Sequence, residues 1–232
     1  MAQERSYREL IAETAPLKVK RKGGAANLLL TALMVEAGRM LDDGFDVLSI
    51  ETAAKKAFNT KKGFLSWMDD IGLKKAVSFM EDLTDPSDPT DPFNQHYRNF
   101  FAPPESIQKV LHDTESGAGP SSGKLVSGED LEEKTADFMM MGILQRRFLA
   151  VAFIVSVELV DSGIVSIKDV ENLERSDLHW KEGSFTLMNE VGVEEAMKMV
   201  VEKMELSHRK AVNFPIPRLL ITHAQKNAPW NL

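Results

Sequence analysis

Residues 63–80, GFLSWMDDIGLKKAVSFM, lie over residues 183–200, GSFTLMNEVGVEEAMKMV, without a gap. Gly63, Met68, Gly72 and Ala76 match Gly183, Met188, Gly192 and Ala196, while Asp69 meets Asn189 and Ile71 meets Val191. The match runs backwards at nearly the same offset, with Asp43-Gly44 facing Ser162-Gly163 and Ile50 facing Val170. Forwards, Phe100-Phe101-Ala102-Pro103-Pro104 and a helix expected over Ile107 to Leu111 resemble Phe214-Pro215-Ile216-Pro217 and a helix expected over Arg218 to Gln225. Three matched blocks that recur in the same order are the signature of a duplicated structural unit. The pattern predicts two tandem helical units packed as an internal pseudo-dimer. Residues 1–24 form a lead-in, 25–115 the first unit, 116–139 a linker and the start of the second unit, and 140–232 the second unit.

The fold class follows from the periodicity around these blocks. Between Leu28 and Asp43, Leu29, Leu33, Val35, Ala37, Met40 and Leu41 recur at helical spacing, and Gly44 follows as a C-cap. A second helix is expected from Ser49 to Phe58 with Ser49 as its N-cap, and another from Leu73 to Leu83 after Gly72. No window alternates apolar and polar residues long enough for a strand, so the chain is all-α. The longest apolar stretch, Phe148 to Val157, falls far short of the ~20 residues a membrane span needs and predicts a buried helix. Three Asp-Pro pairs between Thr84 and Pro92 predict an extended loop, and Ser116 to Gly123 a flexible linker.

Composition narrows the function. The chain has 232 residues, 43% hydrophobic and 27% charged, with a net charge of -7, values of a soluble globular protein. The absence of cysteine excludes disulfides, thiolate catalysis and Cys-ligated metal centres, and fits a reducing, cytoplasmic compartment. Ala2-Gln3-Glu4-Arg5 lacks the apolar core of a signal peptide. The acidic balance argues against nucleic-acid binding, which needs clustered Lys and Arg. One basic run stands out: Lys18, Lys20, Arg21 and Lys22 are either a solvated surface or a contact for a phosphorylated ligand.

Other candidates are weaker. The five histidines have no metal-ligand spacing, so no metal site is expected. Gly117 to Lys124 superficially matches a phosphate loop but fails on spacing and on Leu125. Asp69 and Asp70 read as an acid/base pair or, better, as a cap or surface pair before the Leu73 helix. Met139, Met140, Met141, Met188, Met197, Met199 and Met204 line either a core or an adaptable acyl pocket. Trp67 and Trp180 are expected to pack between the units.

The residues Gly24-Ala25-Ala26-Asn27-Leu28-Leu29, Glu36-Ala37, Gly44, Gly63-Phe64-Leu65 and Asp69-Asp70-Ile71-Gly72-Leu73 resemble the C-terminal helical domain of the 3-hydroxyacyl-CoA dehydrogenases. In that family a Gly-Phe-x-x-Asn-Arg start leads to a helix bearing Glu-Ala, then to Gly-Pro-Phe and Asp-x-x-Gly-Leu. Here Gly24 stands for the Phe, Leu28 for the Arg and Phe64 for the Pro; in the second unit Arg146 stands at the Asn position and Ser184 at the Pro position. The tandem arrangement is similar to that of the multifunctional enzymes of fatty-acid oxidation.

The resemblance implies a helical subunit or domain of a 3-hydroxyacyl-CoA dehydrogenase system in fatty-acid or acyl-CoA beta-oxidation. Such a subunit binds acyl-CoA and assembles with a separate NAD-binding partner. It implies that Asn27 faces the junction of substrate and nicotinamide; the alternative for Asn27 is an N-cap of the first helix. Lys18, Lys20 and Lys22 would then face the acyl-CoA. Family hydride transfer belongs to a dinucleotide-binding domain with Gly-x-Gly-x-x-Gly, for which 232 residues in two helical units leave no space. The expectation is therefore a monomer that binds no cofactor alone, meets NAD only through a partner, and is inactive by itself. A non-catalytic acyl-CoA-binding or protein-interaction scaffold is the alternative.

Overall fold

The computed structural model describes residues 24–84, 98–117, 124–126, 138–163, 165–210, 212 and 214–232. All regular structure among them is helical. Ten α-helices follow one another: α1 (Ala25–Asp42), α2 (Val47–Phe58), α3 (Phe64–Ile71), α4 (Leu73–Thr84), α5 (Glu105–Glu115), α6 (Phe138–Asp161), α7 (Ile167–Ser176), α8 (Ser184–Val191), α9 (Val193–His208) and α10 (Arg218–Gln225). A 3-10 turn at Arg98–Phe100 precedes α5. None of the described helices is long and apolar enough to cross a membrane. The Asp-Pro segment 85–92 and residues 118–123 of the expected linker lie outside the described residues, as does the basic run at 18–22.

Two helices organise the core. α1 buries residues on every side, and from Phe148 to Val157 α6 is solvent-free except for partly buried Leu149, with Ser156 the one polar side chain in that stretch. Such all-round apolar helices are stable only when sheathed by others. α1 and α6 pack against each other, α2 packs on α6, and α7 packs on α1. Within each half, α1 carries α3, α4 and α5, while α6 carries α8, α9 and α10. Aromatic rings join the halves: Phe58 stacks on Trp180 with centroids 3.9 Å apart, Phe64 meets Phe148 at 5.1 Å, and Phe100 meets Phe214 edge-on at 5.1 Å. The Lys181 amide donates to the Phe58 carbonyl beside the stack. The only ring partner of Trp67 among the described residues, the Lys62 ammonium, lies in its own half, so the inter-half stack falls to Trp180.

Several local expectations shift. α1 begins at Ala25, so Asn27 is a first-turn helical residue and not the N-cap, which is Gly24. α2 begins at Val47 because Asp46 caps it, accepting from the Ser49 amide and hydroxyl; Ser49 itself is buried inside the helix. Gly44 ends α1 through a Schellman pair, its amide donating to Leu41 and that of Phe45 to Met40. Gly72 and Gly192 make the breaks α3/α4 and α8/α9 at φ +86° and +90°, a backbone region that side chains strongly disfavour. Asp69 does not cap α4: its carboxylate accepts from the Leu125 and Val126 amides, while Asp70 pairs with Lys62. Met141, Met188 and Met199 are buried in the core and Met140, Met197 and Met204 pack against it, whereas Met139 is 76% exposed.

Candidate functional site

The short helices α3 and α8 begin at glycines and lack their own capping side chains. Their orphan amides need acceptors from elsewhere. At α3, Glu51 of α2 accepts from the Leu65 and Ser66 amides and the Ser66 hydroxyl. At α8, Glu171 of α7 accepts from the Phe185 and Thr186 amides and the Thr186 hydroxyl. A Cβ on Gly63 or Gly183 would lie 2.4 or 2.5 Å from these carboxylates, so both positions require glycine for closeness and not for φ. These carboxylates are therefore structural clamps.

Asn27 sits on the first turn of α1, half-buried, and its carbonyl accepts from the Thr31 hydroxyl at 2.6 Å. Its side-chain amide has no hydrogen-bond partner among the described residues, so both its donor and its acceptor are open. Leu28 beside it is 2% exposed and holds a core position where an Arg would need a counter-ion. Lys18, Lys20 and Lys22 lie outside the described residues.

The strongest electrostatic feature lies between the halves. Glu36 is buried in the middle of α1, and its carboxylate takes the Arg147 Nε of α6 at 2.7 Å and the Lys203 ammonium of α9. Arg147 also reaches Asp43 at 2.7 Å, and Lys210 pairs with the other Asp43 oxygen. Burial pushes the Glu36 carboxyl up, but Lys203, Arg147 and Arg39 overcome it and hold it at about 2. Burial lowers the Lys203 ammonium to about 8 against the pull of Glu36. A buried charge triad of this kind orients helices but is a poor source of net stability, because desolvation offsets most of the attraction. Sequence reading missed it. Part of the signal was available: a lone Glu in the run Leu28 to Ala37 and the Arg146-Arg147 pair leading into the apolar run at Phe148 both demand partners.

A second polar cluster sits inside the later half. Glu174 of α7 accepts from the Ser184 amide at 2.6 Å and from the Ser184 and Ser156 hydroxyls. Burial raises its carboxyl to about 7, the serine hydrogen bonds oppose this, and nearby Glu171 adds to it. Fully buried and with both oxygens engaged in hydrogen bonds, Glu174 is a core element and not a reacting group.

Comparison with the curated proteins and with the solved structures gave no match. Residues 23–137 match the family described as 3-hydroxyacyl-CoA dehydrogenase, C-terminal domain. That stretch holds α1 to α5, with Asn27, Glu36 and the Gly63 and Gly72 turns. Residues 23–137 thus belong to the C-terminal helical domain family of the 3-hydroxyacyl-CoA dehydrogenases.

Proposed function

We propose that the chain is the helical component of a 3-hydroxyacyl-CoA dehydrogenase system, acting in acyl-CoA beta-oxidation and docking with an NAD-binding partner on a separate polypeptide. The observation that carries this reading is the open amide of Asn27 on the first turn of a helix inside the family match. An amide there can donate to the carbonyl of a 3-ketoacyl thioester as its charge changes during hydride transfer, while the partner's nicotinamide supplies or takes the hydride. In the same reading the two halves are tandem copies of one unit forming an internal pseudo-dimer, and the chain is a monomer in solution. The reciprocal packing of α2 on α6 and α7 on α1, and the equivalent clamps of Glu51 and Glu171, support this. Mixing the protein with NAD-binding dehydrogenase domains and following NADH oxidation with acetoacetyl-CoA tests the assignment. A rate that needs both components and drops with Asn27→Ala is expected; no complex and no rate overturns it.

A second reading, a scaffold that binds acyl-CoA without chemistry, is favoured by one observation. Leu28 fills the family's Arg position, and the cations of the central cluster are turned inward to join helices. It is distinguished by calorimetry: acyl-CoA binding with no partner-dependent turnover.

A further inference from the structure

Three buried oxygens in the later half form a closed triangle. The Ser184 hydroxyl lies 2.5 Å from Glu174 Oε1, the Ser156 hydroxyl lies 2.8 Å from the same oxygen, and the two hydroxyls are 3.1 Å apart. Each edge of the triangle takes one proton, and the two serines bring two. The third edge is filled when the carboxyl carries a proton of its own and donates it to one serine, which donates to the other. The second carboxyl oxygen, Oε2, accepts from the Ser184 amide at 2.6 Å. All three residues are solvent-free.

No cation stands in for that proton. None of the ion pairs among the described residues includes Glu174. The charged neighbour on α7 is Glu171, which Arg175 serves. On α6, Arg146 is held by Glu195 and Glu202 and Arg147 by Glu36 and Asp43, while Arg39 of α1 lies among Glu36, Asp42 and Asp43. α8 carries only the exposed Glu190. Burying an ionised carboxyl without a counter-ion costs far more than burying the neutral acid. The corresponding places in the first half are Ala37, Ala54 and Phe64, all apolar and buried, so the arrangement belongs to the later half alone.

The triangle lies at the root of the connection between α7 and α8, residues 177–183. Glu174 grips that connection twice, its backbone carbonyl taking the Trp180 amide at 3.1 Å and its carboxyl the Ser184 amide. Between those two points the connection reaches across to the first half: the Trp180 ring stacks on Phe58, and the Lys181 amide donates to the Phe58 carbonyl at 3.2 Å.

We propose that Glu174 is a proton-binding site whose proton holds the α7–α8 connection, and with it the Trp180–Phe58 contact between the halves, in the closed position. Loss of the proton leaves a bare carboxylate in the core, and opening of the connection to water relieves it. The closed form keeps the proton up to about pH 7 and the open form releases it at the ordinary 4.5, so opening grows with pH across that interval and levels off above it. The device does not rest on the dehydrogenase reading.

Amide hydrogen exchange of the full chain, corrected for the intrinsic pH dependence of exchange, tests it. From about pH 5 to about pH 7, protection at Lys181 and Ser184 should fall at least about ten-fold, the effect of one proton released on opening. Leu65, at the matching junction of the first half, should lose less. In Glu174→Gln, whose amide fills the third edge without titrating, protection at Lys181 and Ser184 should not change with pH. An infrared titration of the wild-type chain gives a reading that needs no variant: one carboxylic-acid band should persist at about pH 6, above the ordinary carboxylate range. Absence of that band overturns the proposal. So does protection at Lys181 and Ser184 that is equal at both pH values, that falls equally at Leu65, or that falls as steeply in Glu174→Gln.

Discussion

The α2–α3 and α7–α8 junctions solve one backbone problem in one way and then diverge a single layer deeper. Both start a short helix at a glycine, and both satisfy its first amides with a glutamate from the preceding helix, Glu51 or Glu171. Beneath the first clamp lie Ala54 and Phe64, both solvent-free. Beneath the second lie Glu174, Ser184 and Ser156, equally solvent-free but tied by hydrogen bonds. The difference teaches that the clamp is dictated by backbone amides, which no side-chain change removes, whereas the core behind it accepts either apolar contact or a satisfied polar set.

Glu36 offers the sharpest way to separate the halves. Replacing Glu36 by Leu leaves the buried Lys203 ammonium without its carboxylate and Arg147 with Asp43 alone, and denaturant unfolding should show a loss of about 3–5 kcal/mol. Changing Glu36, Arg147 and Lys203 together to Met should recover most of that loss; a triple variant as weak as the single one would show that the charges stabilise the junction on their own account.

The pH dependence distinguishes the two buried carboxyls by sign. Glu36 is held at about 2 against an ordinary 4.5, so its contribution is full above 4.5 and is lost as pH falls towards 2. Glu174 is raised to about 7, so the folded chain keeps a proton that the unfolded chain releases, and stability falls as pH climbs from 4.5 to 7. That fall is on the order of 3 kcal/mol, and Glu174→Gln should flatten it in urea titrations at several pH values. An unchanged slope in that variant would show the proton to lie elsewhere.

Gly63→Ala and Gly183→Ala probe the shared clamp. Each places a methyl against a locked carboxylate, and each should lower the unfolding free energy by about 2 kcal/mol. Unequal losses would break the equivalence of the two junctions. The mildest test concerns the segments that follow. Asp69 holds Leu125 and Val126, and at the matching position Asn189 holds Trp230 through both its amide atoms. Asp69→Ala and Asn189→Ala should each cost about 1 kcal/mol and speed amide exchange at Leu125 and Trp230.

The matched stretch 63–80 made the helical fold legible because its glycines answer strict backbone demands: closeness at Gly63 and Gly183, and positive φ at Gly72 and Gly192. The buried helix at 148–157 was equally plain from its apolar run. Helix starts were less so, since Ser49 and Asp46 are both good caps and only the chain path decides between them. Asn27 was visible as a residue, but whether it capped or projected depended on where α1 began. That Glu36 needs a partner was legible in its apolar run, but which cations answer it was not, because they follow 111 and 167 residues later and sequence pattern carries no record of such pairings.

That separation also shapes how the protein is made. α1 is apolar on all sides and carries a carboxylate whose partners arrive late: Arg147 follows Glu36 by 111 residues and Lys203 by 167. At a ribosomal pace of about 5–20 residues per second, Glu36 waits roughly 5–20 seconds for its first counter-ion. Throughout that interval the nascent chain displays the α1 surface that α6 will cover. Completion of the α1 environment is thus a late event in synthesis, set by the arrival of α6.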